Sequence, residues 1–136
     1  MKKLLLLLLT SCTIMTEHPK QEVDLKPIDI TVCSPGFLQT GWLCAELNGY
    51  PKWLHPVVVQ FFGCAISYYD INNTVVQATI FADFDLVLEH EVKHLKGHND
   101  GSEKISYDPV VVARTQRIID SALERYKDSC YSYEPK

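Results

Sequence analysis

Hydrophobic and polar positions first form a regular pattern in the middle of the chain, where they predict β-strands. Residues 57–62, 65–69 and 74–81 are rich in β-branched and aromatic side chains, which favour an extended backbone. Between the last two segments lies Asp70-Ile-Asn-Asn73, whose side chains favour tight turns. The last two segments are therefore predicted to form a β-hairpin.

A helical pattern follows from Phe84 to Gly97, with Asp83 as the candidate N-cap and Gly97 as the stop. The helical repeat divides this segment into three sectors. They are a core-facing sector with Leu88, Val92 and Leu95, a water-facing sector with Glu89, Lys93 and Lys96, and a third sector with His90, Glu91, His94 and His98.

A second helix is predicted nearer the C-terminus, from about Pro109 to Lys127. Asp108 suits its N-cap, and proline is favoured in a first helical turn. The buried stripe of this helix is predicted to contain Val111, Ile118, Ala122 and Tyr126.

The pattern upstream of the strands is weaker. Cys33-Ser-Pro-Gly36 indicates a turn, and residues 41–47 fit either a short helix or an irregular loop. Taken together, the elements predict an α+β domain, in which a small antiparallel sheet carries the helix of residues 84–97 and the C-terminal helix.

The N-terminus reads as a targeting segment. Met-Lys-Lys precedes six leucines, Leu4 to Leu9, and small residues follow them, which is the composition of a secretory signal. The run Leu9-Thr-Ser-Cys12 resembles a bacterial lipobox, the pattern at which a signal peptidase cuts before an acylated cysteine. The resemblance implies that Cys12 carries the lipid, for example palmitate, that anchors the protein in one membrane leaflet.

These features divide the chain into a signal peptide at residues 1–11, a flexible tether at 12–28 and one domain at 29–136. The predicted location is the bacterial cell envelope, on the periplasmic or other extracytoplasmic face, and the outer membrane in a Gram-negative host. Cleavage would lower the 13 basic residues to 11 against 17 acidic ones, a net charge of −6.

Composition narrows the functional classes further. A chain of 136 residues with a formal net charge of −4 has room for one ordinary domain and lacks the basic surface that nucleic acids require.

Four cysteines remain besides Cys12, and an even number in a small exported domain predicts two disulfides of unspecified pairing. These candidates are Cys33, Cys44, Cys64 and Cys130. A structural zinc site is the alternative, but the chain has no Cys-x-x-Cys pair.

The strongest chemical signal is His90-Glu-Val-Lys-His94, which has the form His-Glu-x-x-His. Residues four apart on a helix lie on one face, so His90 and His94 can bind a single metal ion. Glu91, one position along, can act as a general base that takes a proton from water activated by zinc. The pattern therefore predicts one Zn²⁺ ion with Glu91 as the catalytic residue.

The pattern extends as His90-Glu-x-x-His94-x-x-Gly97-x-x-Asp100 and resembles the long zinc motif of the metzincin metallopeptidases, in the variant that ends in aspartate. The resemblance implies a zincin-like domain in which Gly97 turns the chain and Asp100 is the third zinc ligand. Metzincins also have a methionine turn below the metal. Here the only methionines, Met1 and Met15, lie upstream of the motif.

The third ligand has alternatives. If the helix continued past Gly97, His98 would lie one turn after His94 and would bind the metal instead. Glycine is a poor residue within a helix and Asn-Asp-Gly101 favours a turn, so Asp100 is preferred. A distant glutamate, Glu103 or Glu124, is a further alternative.

Two classes of function fit these residues. The leading hypothesis is an exported, lipid-anchored zinc metallopeptidase that hydrolyses a peptide or protein substrate. The alternative is a non-catalytic lipoprotein of the envelope, in which the metal is stored, sensed or used to stabilise the domain. Glu91 favours catalysis, because a storage site does not need a glutamate that is not a ligand.

Overall fold

The computed structural model describes residues 6–11, 24–51, 62–70, 74–98 and 104–135. They form an α+β fold of three helices on a mixed β-sheet. The strands are β1 (Leu6–Ser11), β2 (Asp29–Cys33), β3 (Gly63–Tyr69), β4 (Val75–Ala82), β5 (Lys104–Ser106) and β6 (Cys130–Ser132). The helices are α1 (Phe37–Leu47), α2 (Asp85–Leu95) and α3 (Pro109–Arg125).

The strand order is β5-β1-β3-β4-β2-β6. The predicted hairpin is confirmed, since β3 and β4 pair antiparallel, and the Asp70 carboxylate accepts a hydrogen bond from the Thr74 N–H where the hairpin turns. The expectation of a purely antiparallel sheet is wrong, because β2 and β4 are parallel. The crossover from β2 through α1 and β3 brings the chain back along β4 in the same direction as β2.

The helices cover both faces of the sheet. On one face, α1 and α3 enclose a core with Cys64, Ile66 and Tyr68 of β3. On the other face, α2 packs on a second core that includes Ala65 of the same strand. Successive side chains of a strand point to opposite faces, so β3 contributes to both cores.

Two disulfides are present, as predicted. Cys33–Cys130 joins β2 to β6 and thereby ties the C-terminal segment to the sheet. Cys44–Cys64 joins α1 to β3 on the face of the sheet that α1 and α3 cover. Each bridge lowers the conformational entropy of the unfolded chain. For loops of this size, this stabilises the fold by about 3 to 5 kcal/mol per bridge.

The start of α2 differs from the prediction. The helix begins at Asp85 and Phe84 is its N-cap, without a side-chain hydrogen bond. Asp83 instead accepts hydrogen bonds from the Gly36 N–H at 2.7 Å and from the Thr40 hydroxyl at 2.6 Å. A carboxylate can accept hydrogen bonds from any nearby helix start, and the Asp83 carboxylate serves the start of α1 and leaves that of α2 without a side-chain cap.

The second helix agrees with its predicted start. Asp108 is the N-cap of α3, and its carboxylate accepts a hydrogen bond from the Val110 N–H at 2.9 Å. The buried stripe was predicted one residue away from its observed position, apart from Ala122. The fully buried residues are Val112, Thr115, Ile119 and Ala122. Ile118 and Tyr126 are only partly buried at the edge of this core.

Four strands of the sheet were not predicted, namely β1, β2, β5 and β6. β2 lies in a weakly patterned stretch. The segment that fits either a helix or a loop is a helix, and α1 begins at Phe37, four residues before it. The predicted tether is also too long, because Leu25 and Ile28 are 3% and 6% exposed and belong to the core under α2. The strand predicted at residues 57–62 lies outside the described residues except for Phe62, which precedes β3 and is not part of a strand.

The leucine-rich segment has a defined place in this structure. β1 pairs antiparallel with β3 along its whole length, from Leu6 opposite Tyr69 to Ser11 opposite Cys64, and with β5 on its other side. An unbroken apolar run is also typical of a strand inside a sheet. Cys12 lies outside the described residues, so its cleavage and lipidation stay predictions. Within the described part of the chain, no helix is long and apolar enough to cross a bilayer.

Candidate metal centre

The two histidines of the motif converge on one point. His90 and His94 lie one turn apart on α2, their rings meet edge to face with centroids 4.7 Å apart, and their Nε2 atoms are 3.1 Å apart. Two nitrogen ligands at about 2.0–2.1 Å from a tetrahedral zinc ion are separated by about 3.3–3.4 Å. The observed separation is that of a hydrogen bond between the two rings, and it lies within a few tenths of an ångström of the separation that a shared zinc ion requires.

The third helix sector is more buried than predicted. Glu91 is 0% exposed and His94 is 2% exposed, whereas His90 is half-buried. The side of α2 that faces the sheet is formed by Glu91, Val92, His94 and Leu95. The predicted separation between a core sector and a histidine sector is therefore wrong, because the motif forms part of the contact between α2 and the sheet.

Small residues in β3 and β4 allow α2 to lie close to the sheet. A Cβ atom at Gly63 would be 2.5 Å from Val87 Cγ1 and 2.7 Å from the Phe81 carbonyl oxygen, so only glycine fits there. Ala65 and Ala78 are fully buried on the same face. Gly-x-Ala at alternate positions of β3 is the sequence signal for this close approach, and the hydrophobic pattern alone did not reveal it.

The turn predicted at Gly97 is confirmed. Gly97 has φ 102°, its N–H donates to the His94 carbonyl, and the His98 N–H donates to the Lys93 carbonyl, both at 3.0 Å. This pair of hydrogen bonds is the Schellman motif, which ends a helix with a left-handed glycine. The chain therefore leaves the helix before His98, and the alternative in which His98 occupies a further helical turn is wrong.

The described residues do not supply a complete ligand set. They contain no group of three histidine, cysteine, aspartate or glutamate side chains placed to bind one metal ion, so His98 does not join the pair. Asp100 and Glu103 lie outside the described residues. Glu124 is excluded as a ligand, because α3 packs on the opposite face of the sheet and Glu124 pairs with Lys127 at 3.5 Å.

Comparisons of the chain with protein-family models, curated proteins and solved structures find no match. The resemblance to metzincins therefore depends on the motif residues and on the geometry of α2.

Proposed function

We propose that this protein is a zinc-dependent, metallopeptidase-like hydrolase that is exported and anchored by a lipid on Cys12. The observation that carries the proposal is the 3.1 Å separation between the Nε2 atoms of His90 and His94 on the helix that also holds Glu91. The donor set is chemically suitable, because imidazole nitrogen and carboxylate oxygen are common ligands of catalytic zinc.

Each residue of the motif has a distinct role in this proposal. His90 and His94 would hold the ion, and Asp100, three residues beyond the turn at Gly97, would be the third ligand. Bound zinc would supply a water that is nucleophilic at neutral pH. Glu91 would be the general base that accepts a proton from this water and returns it to the leaving amine.

The burial of Glu91 fits a general base. A carboxylate removed from water requires a compensating charge or hydrogen bonds, and a cation held by the neighbouring histidines provides such a charge. The low dielectric constant around a buried site also strengthens the attraction between the carboxylate and positive charge. A glutamate on a solvated helix face would gain much less from the ion.

Access to the site is linked to processing of the leader. α2 packs on β3 and β4 and passes beside β1. Cleavage before Cys12 would remove β1, which would uncover the edge of β3 and the adjacent side of α2. We therefore expect the processed protein to hydrolyse peptides faster than a precursor that retains residues 1–11.

The test compares the parent with Glu91→Gln, which keeps the shape of the side chain but removes its basicity. The zinc content of both proteins is measured by elemental mass spectrometry. Their activity is measured as cleavage of a broad library of quenched fluorescent peptides. The variant should retain zinc and its melting temperature while its rate falls about 10²- to 10⁴-fold, as is typical when a general base is lost. Equal activity in the two proteins would contradict the catalytic role.

The non-catalytic alternative has one observation in its favour, which is that the proposed ligand His94 is only 2% exposed. A zinc-loaded parent that cleaves no member of the library, in the processed form as well as in the precursor, would favour a metal that stabilises or is stored by the domain.

A further inference from the structure

A groove lies between α1 and α3, on the face of the sheet opposite α2, with a volume of about 740 Å³. Leu43, Ile118 and Ala122 give it an apolar lining, and Trp42 and Tyr126 add aromatic rings. Its lining on α3 extends from Arg117 to Tyr126, which is about 13 Å at the helical rise per residue. The groove is thus elongated and amphipathic, and it is separate from the histidine pair.

The arginines of the protein are concentrated at this groove. The chain has only three arginines, Arg114, Arg117 and Arg125, and its other ten basic residues are lysines. All three are exposed and lie along one side of α3, and the last two line the groove. In a chain with net charge −4, this row is a local positive surface.

Neither groove arginine forms an ion pair with a described residue, although Glu46 lines the same groove. The guanidinium of Arg125 lies 5.9 Å from the centre of the Tyr126 ring. The acids of α3 have other partners: Asp120 accepts a hydrogen bond from Gln116 at 2.7 Å, and Glu124 pairs with Lys127. Guanidinium groups are well suited to bind carboxylates through two parallel hydrogen bonds.

We infer that this groove binds an acidic peptide segment of a partner protein, with carboxylates on Arg117 and Arg125 and an apolar side chain against Trp42 and Ile118. The two arginines are about 12 Å apart along the helix, which matches acidic residues four positions apart in an extended peptide. Gln39 and Ser121 offer hydrogen bonds to its backbone. A concave, elongated site fits a peptide better than it fits a flat membrane surface.

The lining also contains one acid, Glu46 on α1. Its charge opposes an acidic ligand on that wall, so the carboxylates of the peptide are directed to the wall formed by α3. Replacing Glu46 with glutamine should therefore tighten the binding, whereas replacing either groove arginine should weaken it.

The test uses an acetylated and amidated pentapeptide with glutamate at both ends and leucine, alanine and leucine between them, titrated calorimetrically into the full chain. Its affinity should exceed that of the same peptide with glutamine ends. Arg117→Gln and Arg125→Gln should each weaken binding about tenfold, and Glu46→Gln should strengthen it. Arg114→Gln is the matched control, because it removes the same charge outside the groove lining and should have little effect.

Circular dichroism and melting temperatures of all variants establish that they are folded. Equal affinity for the glutamate and glutamine peptides, or equal losses in the Arg114 and Arg117 variants, would overturn the inference. Vesicles of phosphatidylglycerol provide a second arm. Arginine-dependent binding to vesicles without binding of the peptide would also overturn it, since the surface would then be a membrane contact.

Discussion

The hydroxyl of Tyr68 is the clearest unfavourable feature at the residue scale. Tyr68 belongs to the core between the sheet and α3, is 2% exposed, and its hydroxyl has no hydrogen-bond partner among the described residues. A buried polar group without a partner costs about 1–3 kcal/mol. Tyr68→Phe removes this group and keeps the ring, so the free energy of unfolding should rise by about 1 kcal/mol in urea titrations.

The same residue should make stability depend on alkaline pH. Burial, and to a lesser extent the negative charge of Asp120, raise the pKa of Tyr68 above that of an unfolded tyrosine. The unfolded chain therefore releases this proton first, and the contribution of Tyr68 to stability falls as the pH rises above about 10. Tyr68→Phe should flatten this fall. Tyr107→Phe, at an exposed position, should leave the fall unchanged. If the stability of Tyr68→Phe fell with pH as steeply as that of the parent, the fall would not come from Tyr68.

At the scale of elements, the contact between α2 and the sheet depends on Gly63. Its backbone lies so close to Val87 and to the Phe81 carbonyl that a methyl group cannot be accommodated without movement. Gly63→Ala should lower the free energy of unfolding by about 1–3 kcal/mol, measured in urea. It should also weaken zinc binding, because α2 carries both histidines.

The double variant with Val87→Ala separates the two contacts. It should recover part of the lost stability, since it removes both methyl groups of Val87, including the Cγ1 contact, but leaves the Phe81 carbonyl in place. A Gly63→Ala single variant as stable as the parent would show that α2 does not lie as close to β3 as the contacts at Gly63 indicate.

Elements with strong local signals were predictable from the sequence. The hairpin of β3 and β4 has alternating segments around a turn, and α3 has Asp108 and Pro109 at its start. β2 was not recognised, because its position is decided by parallel pairing with a strand more than 40 residues away. Of the candidate site, the pattern revealed the His90–His94 pair and the turn at Gly97, but not the burial of Glu91, which depends on how closely α2 packs.

At the scale of the whole molecule, the N-terminal segment has two incompatible roles. As β1 it joins β3 to β5 inside the sheet, and as a signal peptide it would be removed before Cys12. After its removal the sheet would keep the four strands β3-β4-β2-β6, with the edge of β3 unpaired.

Intact mass spectrometry of the protein from membranes of a bacterial host decides between these roles. We expect loss of residues 1–11 and acyl groups on Cys12, with Cys12→Ser left unprocessed. A chain that keeps Met1, together with slow amide exchange at Leu6–Ser11, would instead establish β1 as a permanent strand.

A competitive zinc titration of the metal-stripped protein shows whether His90 and His94 hold a zinc ion. The parent and Glu91→Gln should each bind one equivalent, and His90→Ala and His94→Ala should each bind at least about a hundredfold more weakly, because each lacks one ligand. His55→Ala is the control, and Asp100→Ala should weaken binding more than His98→Ala. A parent that binds no stoichiometric zinc, or histidine variants that bind it as tightly as the parent, would show that His90 and His94 do not form a zinc site.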